Sequence, residues 1–475
     1  VRFRVDGSVR RSDRGRSVLG GSPLRRWRLT DAGAAVVDRA VRGDDVDLGS
    51  PSTAALIDRL VDAGALHPCP PRSDPSAPVP AEVTVVVPVR DRVAELDRLL
   101  ASLAPTAVRG ARVIVVDDGS LDATAHARVA AAHGAEVLRR GRPGGPAAAR
   151  RDGIDAAATP LVAVVDSDCE VEAGWLDPLL AHLADPRVVA VAPRIATSGG
   201  PGLLARYEAL RSPLDLGPEP ARVHPGSRVS YVPSAALVLR RDAQSAAGGF
   251  DPTLPVGEDV DLVWRLVAAG GRVRYEPASV VHHEPRAGWA GWWRQRVGYG
   301  RSAALLDERH PWEVAPVRCS PWSATGWAVA AAGHPWIGAG VLGGSAAAFP
   351  VRLGRSGAGV PTDEALRLAA LGHLGAGRQL ARAVVRTWWP LAVSAAAVSR
   401  RGRRVLAASV ATVAATAAVE ARRRDPGAGA STLVAVAGLA VLDDAAYGAG
   451  VWSGCIRARS GRALLPRFPR AAHRF

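Results

Sequence analysis

The period of apolar positions changes along the chain, and each change marks a part. After residue 81 short, unbroken apolar runs recur: VTVVVPV from Val83, RVIVVD from Arg112, EVLRR from Glu136 and LVAVVD from Leu161. Runs of this length read as strands buried on both faces. Between them the apolar residues fall three and four apart. RVAELDRLLASL places Leu96, Leu99, Leu100 and Leu103 on one helical face, LDATAHARVAAAHG predicts a helix capped near Ser120 or Asp122, and PAAARRDGIDAA a third helix. Strand and helix alternate with short loops, which predicts an α/β fold with a doubly wound, mostly parallel sheet. Farther on, VSYVPSAALVLRRDAQSAAGGFD reads as strand, helix and turn, and GEDVDLVWRLVAAGG as an amphipathic helix bearing Leu262, Leu266 and Val267. VVHHEP follows a short strand.

The flanks differ in pattern. In residues 1–69, VRFRVDGSVR alternates like a short strand, Gly20 and Gly21 predict a turn, and RRWRLTDAGAAVVDRAVRG reads as strand then helix with Thr30 or Asp31 as cap. STAALIDRLVDAG adds a helix with Leu56, Ile57, Leu60 and Val61 on one face, stopped at Gly64. A small α+β domain is expected there. Residues 70–80, rich in proline and small polar residues, predict a linker. The α/β domain is then expected over 81–322 and an Ala-rich helical region over 323–475. In that region GWAVAAAGHPWIGAGVLGGSAAAF and RVLAASVATVAATAAV approach the length of a membrane span. Either these runs associate with a membrane, or they pack as helices on the rest of the protein.

Composition narrows the partners. All 60 basic residues are Arg, and the net charge of +15 admits nucleic acid, anionic lipid or phosphate-bearing ligands. No finger, RNP or basic-zipper pattern accompanies the charge, and aromatics are few, so base reading is not expected. Four scattered cysteines form neither a metal knuckle nor a disulfide framework and suit a reducing compartment. The polar, Arg-rich N-terminus has no apolar leader pattern, so a cytoplasmic protein is expected, with the loops SRRGRR and EARRRD available to the inner face of the plasma membrane.

Candidate chemistry sits at strand ends. Asp166 and Asp168 end the run LVAVVDSD, and because i and i+2 share a side of a strand, both carboxylates can face one spot. An Asp-rich turn would give the same sequence; a hard divalent cation holding a diphosphate would also demand it. Asp91 lies just past the first strand, and Asp117 and Asp118 end the second. Three acidic ends on one sheet edge make a polar cleft where open α/β sheets bind ligands. Glu258, Asp259 and Asp261 crowd the start of a helix, where its dipole stabilises carboxylates.

VVVPVRDR, VIVVDDGS, GRPGGPAAARRDGI and VDSDCE, in this order and spacing, resemble the GT-A nucleotide-sugar transferases of the inverting family 2 over about residues 82–305. A dinucleotide-binding dehydrogenase would need GxGxxG where PVRDR stands. The resemblance implies that Pro88 and Asp91 border the donor base, that Asp118 reaches the uracil or ribose with Asp117 also in the donor site, and that Arg150 helps hold the diphosphate. Asp168, with Asp166 beside it, would coordinate Mn²⁺ or Mg²⁺, and His283 would be a third ligand. GEDVDLVWRL matches the acceptor-side helix whose Asp is catalytic base, here Asp259, with Glu258 as second choice. Gln295 and Arg296 resemble the helix that closes over the diphosphate, although the processive QxxRW form is absent. Trp289, Trp292 and Trp293 line either a sugar face or a membrane interface.

RRWRL and the Leu-rich end of residues 1–69 resemble the peptide-recognition domain of pyrroloquinoline quinone biosynthesis, though a winged-helix-like cap fits nearly as well. With the linker and the Ala-rich region, the whole resembles the glycosyltransferases of mycofactocin systems. That implies a UDP-glucose donor, an acceptor hydroxyl on the peptide-derived redox cofactor mycofactocin or its precursor, and a precursor peptide at the N-terminal domain. A membrane-associated transferase for cell-envelope glycans or polyprenyl phosphate is the alternative, and a scaffold on a decayed transferase fold the non-enzymatic one.

Overall fold

The computed structural model describes residues 1–69, 82–285, 288–355 and 360–469; the linker expected at 70–80 lies outside the described residues. The chain divides into two compact units, Val1–Gly200 with Arg211–Pro285, and Pro201–Leu210 with Arg286–Phe475.

Unit 1 opens with β1 (Arg2–Val5), β2 (Arg10–Ser12), β3 (Ser17–Gly20), β4 (Arg25–Arg28), α1 (Asp31–Arg42), α2 (Pro51–Asp62) and β5 (Leu66–Cys69). β1 pairs with β5, and β2, β3 and β4 form a second antiparallel sheet. Thr30 caps α1 by accepting the Gly33 N–H at 3.2 Å. Phe3, Val18, Val37, Ile57, Leu60 and Leu66 close a small core. The following sheet domain fastens to α2 through charge: Arg187 Nη1 meets Asp58 at 2.6 Å, and Arg272 Nε meets Asp62 at 2.7 Å.

That domain runs β6 (Val83–Val89), α3 (Val93–Val108), β7 (Arg112–Asp117), α4 (Ala123–Ala132), β8 (Glu136–Arg139), α5 (Gly145–Ala156), β9 (Leu161–Val165), β10 (Cys169–Val171), α6 (Leu176–His182) and β11 (Val188–Thr197). After α7 (Leu203–Arg211), most of which belongs to unit 2, come β12 (Ala221–Val223), β13 (Ala236–Arg240), α8 (Arg241–Ala246), α9 (Glu258–Ala268) and β14 (Arg272–His283). The strands make one nine-stranded sheet in the order β10-β14-β11-β13-β9-β6-β7-β8, with β12 on β14. β9, β6, β7 and β8 are parallel, as their buried runs predict. β13 enters reversed between β9 and β11, so the sheet is mixed. The short strand expected before His282 and His283 is twelve residues long. On the parallel half, α5 lies very close to the sheet: a Cβ on Gly153 would stand 2.3 Å from Val86 Cγ1 and 2.8 Å from Val116 Cγ2. Glycine therefore occupies this helix position despite its cost of about 1 kcal/mol relative to Ala.

Unit 2 is helical: α7 with α10 (Trp289–Arg309), α11 (Pro321–Ala331), α12 (Pro335–Arg355), α13 (Thr362–Arg386), α14 (Trp389–Val398), α15 (Arg400–Arg424) and α16 (Ala430–Arg457). α10 crosses α16 so closely that a Cβ on Gly300 would fall 2.0 Å from the Tyr447 carbonyl oxygen. This crossing groups residues 288–322 with the tail rather than with the sheet domain, where the sequence placed them. The apolar run 326–349 is broken at residues 332–334 into α11 and α12. Among the described residues α15 and α16 are long and apolar enough to cross a bilayer. α16, however, carries Asp443 and Asp444, paired with Arg296 and with Arg382 and Arg386, as befits a core helix of this unit.

Candidate active site

The strand ends of unit 1 meet as the sequence suggests, but several carboxylates are already engaged. Pro88 and Val89 of β6 stand beside Val116 and Asp117 of β7. Just beyond, Asp91 takes the left-handed region at φ +55°. Its N–H donates to Ser120 Oγ at 3.0 Å and its carboxylate accepts from the Leu121 N–H at 2.8 Å, tying the first strand-end loop to the second. Asp117 is buried, accepts from the Ser120 N–H at 2.8 Å and pairs with Arg139. Burial alone would raise its pKa, but the Ser120 hydrogen bonds and Arg139 outweigh it and hold the carboxyl below its ordinary value. Asp118 accepts from the N–H groups of Gly144 (2.9 Å) and Gly145 (2.8 Å) and pairs with Arg140. It thus fixes the Gly-rich loop at the start of α5.

Arg150 is the hinge of the site. It projects from α5 with 4% of its side chain exposed; Nη2 donates to Asp166 Oδ1 at 2.6 Å and Nη1 to Glu258 Oε1 at 2.8 Å. One guanidinium therefore joins the end of β9 to the first turn of α9. Its carbon lies 5.5 Å from the Phe250 ring centroid, within cation–π range. Burial works against this cation, yet Asp166 and Glu258 more than offset it and keep its pKa above the ordinary value. The backbone before β13 completes the junction: the Ser234 N–H donates to Asp259 Oδ2 at 3.3 Å, and the Ala235 carbonyl accepts from the Asp166 N–H at 2.9 Å.

Asp259 sits in the first turn of α9, where its Oδ1 accepts the Val260 N–H at 2.8 Å. Desolvation and then the negative charge of Glu258, against the pull of Arg150, raise its pKa to about 7. That is the range in which a carboxylate works as a general base near neutrality.

Asp168 has different partners from Asp166. It pairs with Arg92, its Oδ1 lies 3.6 Å from His283 Nε2, and its carbonyl accepts from the Glu284 N–H at 3.0 Å. Asp168 and His283 are thus a ready oxygen and imidazole pair. Asp166, expected as a further ligand, is committed to Arg150. Among the described residues no three His, Cys, Asp or Glu side chains group closely enough for a metal ion. The reason is the turn that follows β9, closed by the Cys169 N–H on the Asp166 carbonyl at 3.0 Å: Arg150 collects one carboxylate while Arg92 and His283 collect the other.

Gln295 and Arg296 belong to α10 of unit 2. Arg296 is buried there, paired with Glu208 and, at 3.1 Å, with Asp443, while Nη1 reaches Gln295 Oε1 at 3.1 Å. Trp292 is buried too and donates from Nε1 to Glu208 at 2.8 Å, whereas Trp289 and Trp293 are exposed. These side chains satisfy one another. Arg92 and Ser234 were not singled out by sequence reasoning. Arg92 carries a signal all the same, an Arg inside PVRDR directly after a strand end; Ser234 acts through its backbone and carries none.

Comparison with known proteins bears on the family. The family described as Glycosyl transferase family 2 matches residues 84–245. The pre-mycofactocin glycosyltransferase of Mycobacterium tuberculosis (strain H37Rv) is 42% identical over 474 residues, covering 98% of this chain and 97% of that protein. This chain belongs to the pre-mycofactocin glycosyltransferase family. It is a glycosyltransferase of family 2 with the GT-A type of mixed α/β sheet. A mouse polypeptide N-acetylgalactosaminyltransferase 15 shares 28% identity over 51% of this chain and 41% of its own length. Among solved structures, GalNAc-T7 with UDP, GalNAc and Mn²⁺ covers 49% of this chain and 50% of its own at 21% identity and a TM-score of 0.38. Residues of this glycosyltransferase outside the family 2 match include Asp259 and His283, so the whole-length relative, rather than the domain match, spans the entire site.

Proposed function

We propose that this family member transfers glucose from UDP-glucose, with inversion, to a hydroxyl of a mycofactocin precursor, building a short β-linked oligosaccharide. The observation that carries the reading is the Arg150 bridge, which places the acidic end of β9 and the first turn of α9 at one guanidinium. Asp166, on the donor side, and Glu258, the chain neighbour of the candidate base Asp259, therefore share one guanidinium. The acceptor is supported by the whole-length likeness to a pre-mycofactocin glycosyltransferase.

In this reading Asp259 takes the proton from the acceptor hydroxyl as its oxygen attacks the anomeric carbon. The bond from that carbon to the UDP oxygen breaks, and its electron pair leaves with the diphosphate. Arg150, held cationic by Asp166 and Glu258, faces the growing negative charge. Glu258 contributes by raising the pKa of Asp259 rather than by taking the proton. Asp168 and His283, one hard oxygen and one imidazole 3.6 Å apart, would supply two ligands to a divalent cation, and Mn²⁺ or Mg²⁺ held there would add charge for the departing diphosphate. Pro88, Asp91, Asp117 and Asp118 shape the nucleoside end, with the two buried aspartates acting by fixing loops. The three-stranded sheet of the N-terminal domain, open at β2 and β4, would carry the peptide part of the acceptor by strand addition.

The test is incubation of the purified protein with UDP-glucose and the precursor, read by mass for added hexose, beside Asp259→Asn. Hexose addition by the parent and its loss in the variant, with UDP binding kept, is the expected pair of results. Full activity in the variant would remove Asp259 from the mechanism.

A further inference from the structure

Asp168 is claimed twice within the protein itself. Its Oδ2 is paired with Arg92, and its Oδ1 stands 3.6 Å from His283 Nε2. Arg92 belongs to the PVRDR loop, at the residue that precedes α3, and its side chain makes no cap hydrogen bond to that helix. Its side chain is 30% exposed, against 4% for Arg150, so packing leaves it room to move that Arg150 lacks. Burial works against the Arg92 cation, yet Asp168, and beyond it Glu95 and Asp166, outweigh burial and keep its pKa above the ordinary value. The guanidinium thus faces both carboxylates of VDSD, the pair that the sequence offers to a divalent cation.

Charge at this strand end is already matched. Asp166 is answered by Arg150, and Asp168 by Arg92. A divalent cation coming alone has to take Asp168 from Arg92 and then lie beside a guanidinium that has lost its anion, and repulsion at that range is strong in a half-buried site. A cation coming with a nucleoside diphosphate brings anionic oxygens of its own. Arginine presents the same fork of N–H donors to phosphate as to carboxylate, so Arg92 can exchange one for the other. Its neighbours are less suited to the exchange: Arg98 reaches Glu284 and, at 3.5 Å, Glu170, and Arg150 is fixed between two carboxylates.

We propose that Arg92 is a further donor-binding residue, which gives up Asp168 for a diphosphate oxygen of the nucleotide and thereby admits a divalent cation to Asp168 only together with that diphosphate. The cation and the donor then bind as a pair, and each tightens the other by the same factor. The inference rests on the cation at Asp168 proposed above and deepens it, because it names the residue that decides when that carboxylate becomes available. It does not depend on which sugar or acceptor the site takes.

The test measures binding rather than turnover, on the full chain, with Mn²⁺ as the cation and UDP as the diphosphate. Mn²⁺ is titrated without nucleotide by electron paramagnetic resonance, and UDP by calorimetry at saturating Mn²⁺. Arg92→Gln and Arg92→Met should each bind Mn²⁺ alone roughly ten-fold more tightly than the parent, and UDP roughly ten-fold more weakly. Arg92→Lys keeps the charge and should hold Mn²⁺ within about three-fold of the parent. Asp168→Asn should lose Mn²⁺, which places the signal at this carboxylate. Opposite shifts for the two ligands separate the proposal from a damaged fold, which loses both. Mn²⁺ affinity unchanged or lowered in both uncharged variants, UDP affinity unchanged in them, or Mn²⁺ retained by Asp168→Asn would overturn the proposal. The first two of these results leave the cation at Asp168 standing, whereas a parent that binds no Mn²⁺ even with UDP removes the cation and the role of Arg92 together.

Discussion

Each unit buries one arginine between two carboxylates, and the two do different things. In unit 1, Arg150 sits between Asp166 and Glu258; in unit 2, Arg296 sits between Glu208 and Asp443. Around Arg296 every neighbour looks inward: Trp292 donates to Glu208, and the Tyr207 hydroxyl donates to Asp443 at 2.8 Å. Around Arg150 the carboxylates stand at a strand end and a helix start, and two more, Asp168 and Asp259, lie next to them in the chain without joining the bridge. Asp259 keeps a raised pKa that a closed network would have removed. A buried ion triad is thus no sign of a site by itself; an adjacent carboxylate left poised for a proton is.

The comparison is tested most severely at Asp259. Asp259→Asn should lower kcat by about a thousand-fold, within the range for removing a general base, and leave UDP affinity within a factor of a few. The next test treats the two arginines alike. Arg150→Met and Arg296→Met each strand two carboxylates and should each cost about 3–5 kcal/mol in urea unfolding. Only Arg150→Met should also lose UDP binding in titration calorimetry; equal loss in both would erase the distinction drawn here.

A smaller effect follows from pH. kcat/KM should rise about ten-fold per pH unit below the pKa of Asp259 and level off above about 7. Stability runs the other way. An unfolded aspartate ionises near 3.8, while folded Asp259 keeps its proton to about 7, so across that window the folded state holds the extra proton and this group's contribution declines as pH rises. Asp259→Asn should therefore melt higher than the parent at pH 8 and level with it at pH 4. The smallest effect is expected where unit 1 ties its N-terminal domain down. Asp58→Asn loosens partly exposed bridges to Arg187 and Arg272 and should cost no more than about 1 kcal/mol by thermal melting.

The parallel half of the sheet was legible because Val83–Val89, Arg112–Asp117 and Leu161–Val165 are runs that only burial on both faces explains, and their acidic ends follow from where such sheets bind ligands. What local pattern does not hold is the partner of a charge. Asp166 and Asp168 look equivalent two residues apart, yet Arg150 from α5 and Arg92 from the loop before α3 divide them. Arg296 reads as a ligand-facing residue until Glu208, far away in the chain, is seen beside it. The reversed β13 was hidden for a related reason: strand direction depends on the connection, and a run such as ALVLR is the same in either sense. Likewise α16 is long and apolar enough to cross a bilayer, and only the pairing of Asp443 and Asp444 makes it an interior helix.

The tight seat of α5 at Gly153 bears on more than packing. Arg150 leaves the same helix one turn earlier, so the height of its guanidinium above the sheet is set by how deeply the helix sinks onto Val86 and Val116. A single methyl group added at 153 would act as a shim, lifting the arginine from its two carboxylates although it touches neither them nor any substrate. The placing of Arg150 is therefore delegated in part to a spot one turn along the same helical face that holds no chemistry of its own.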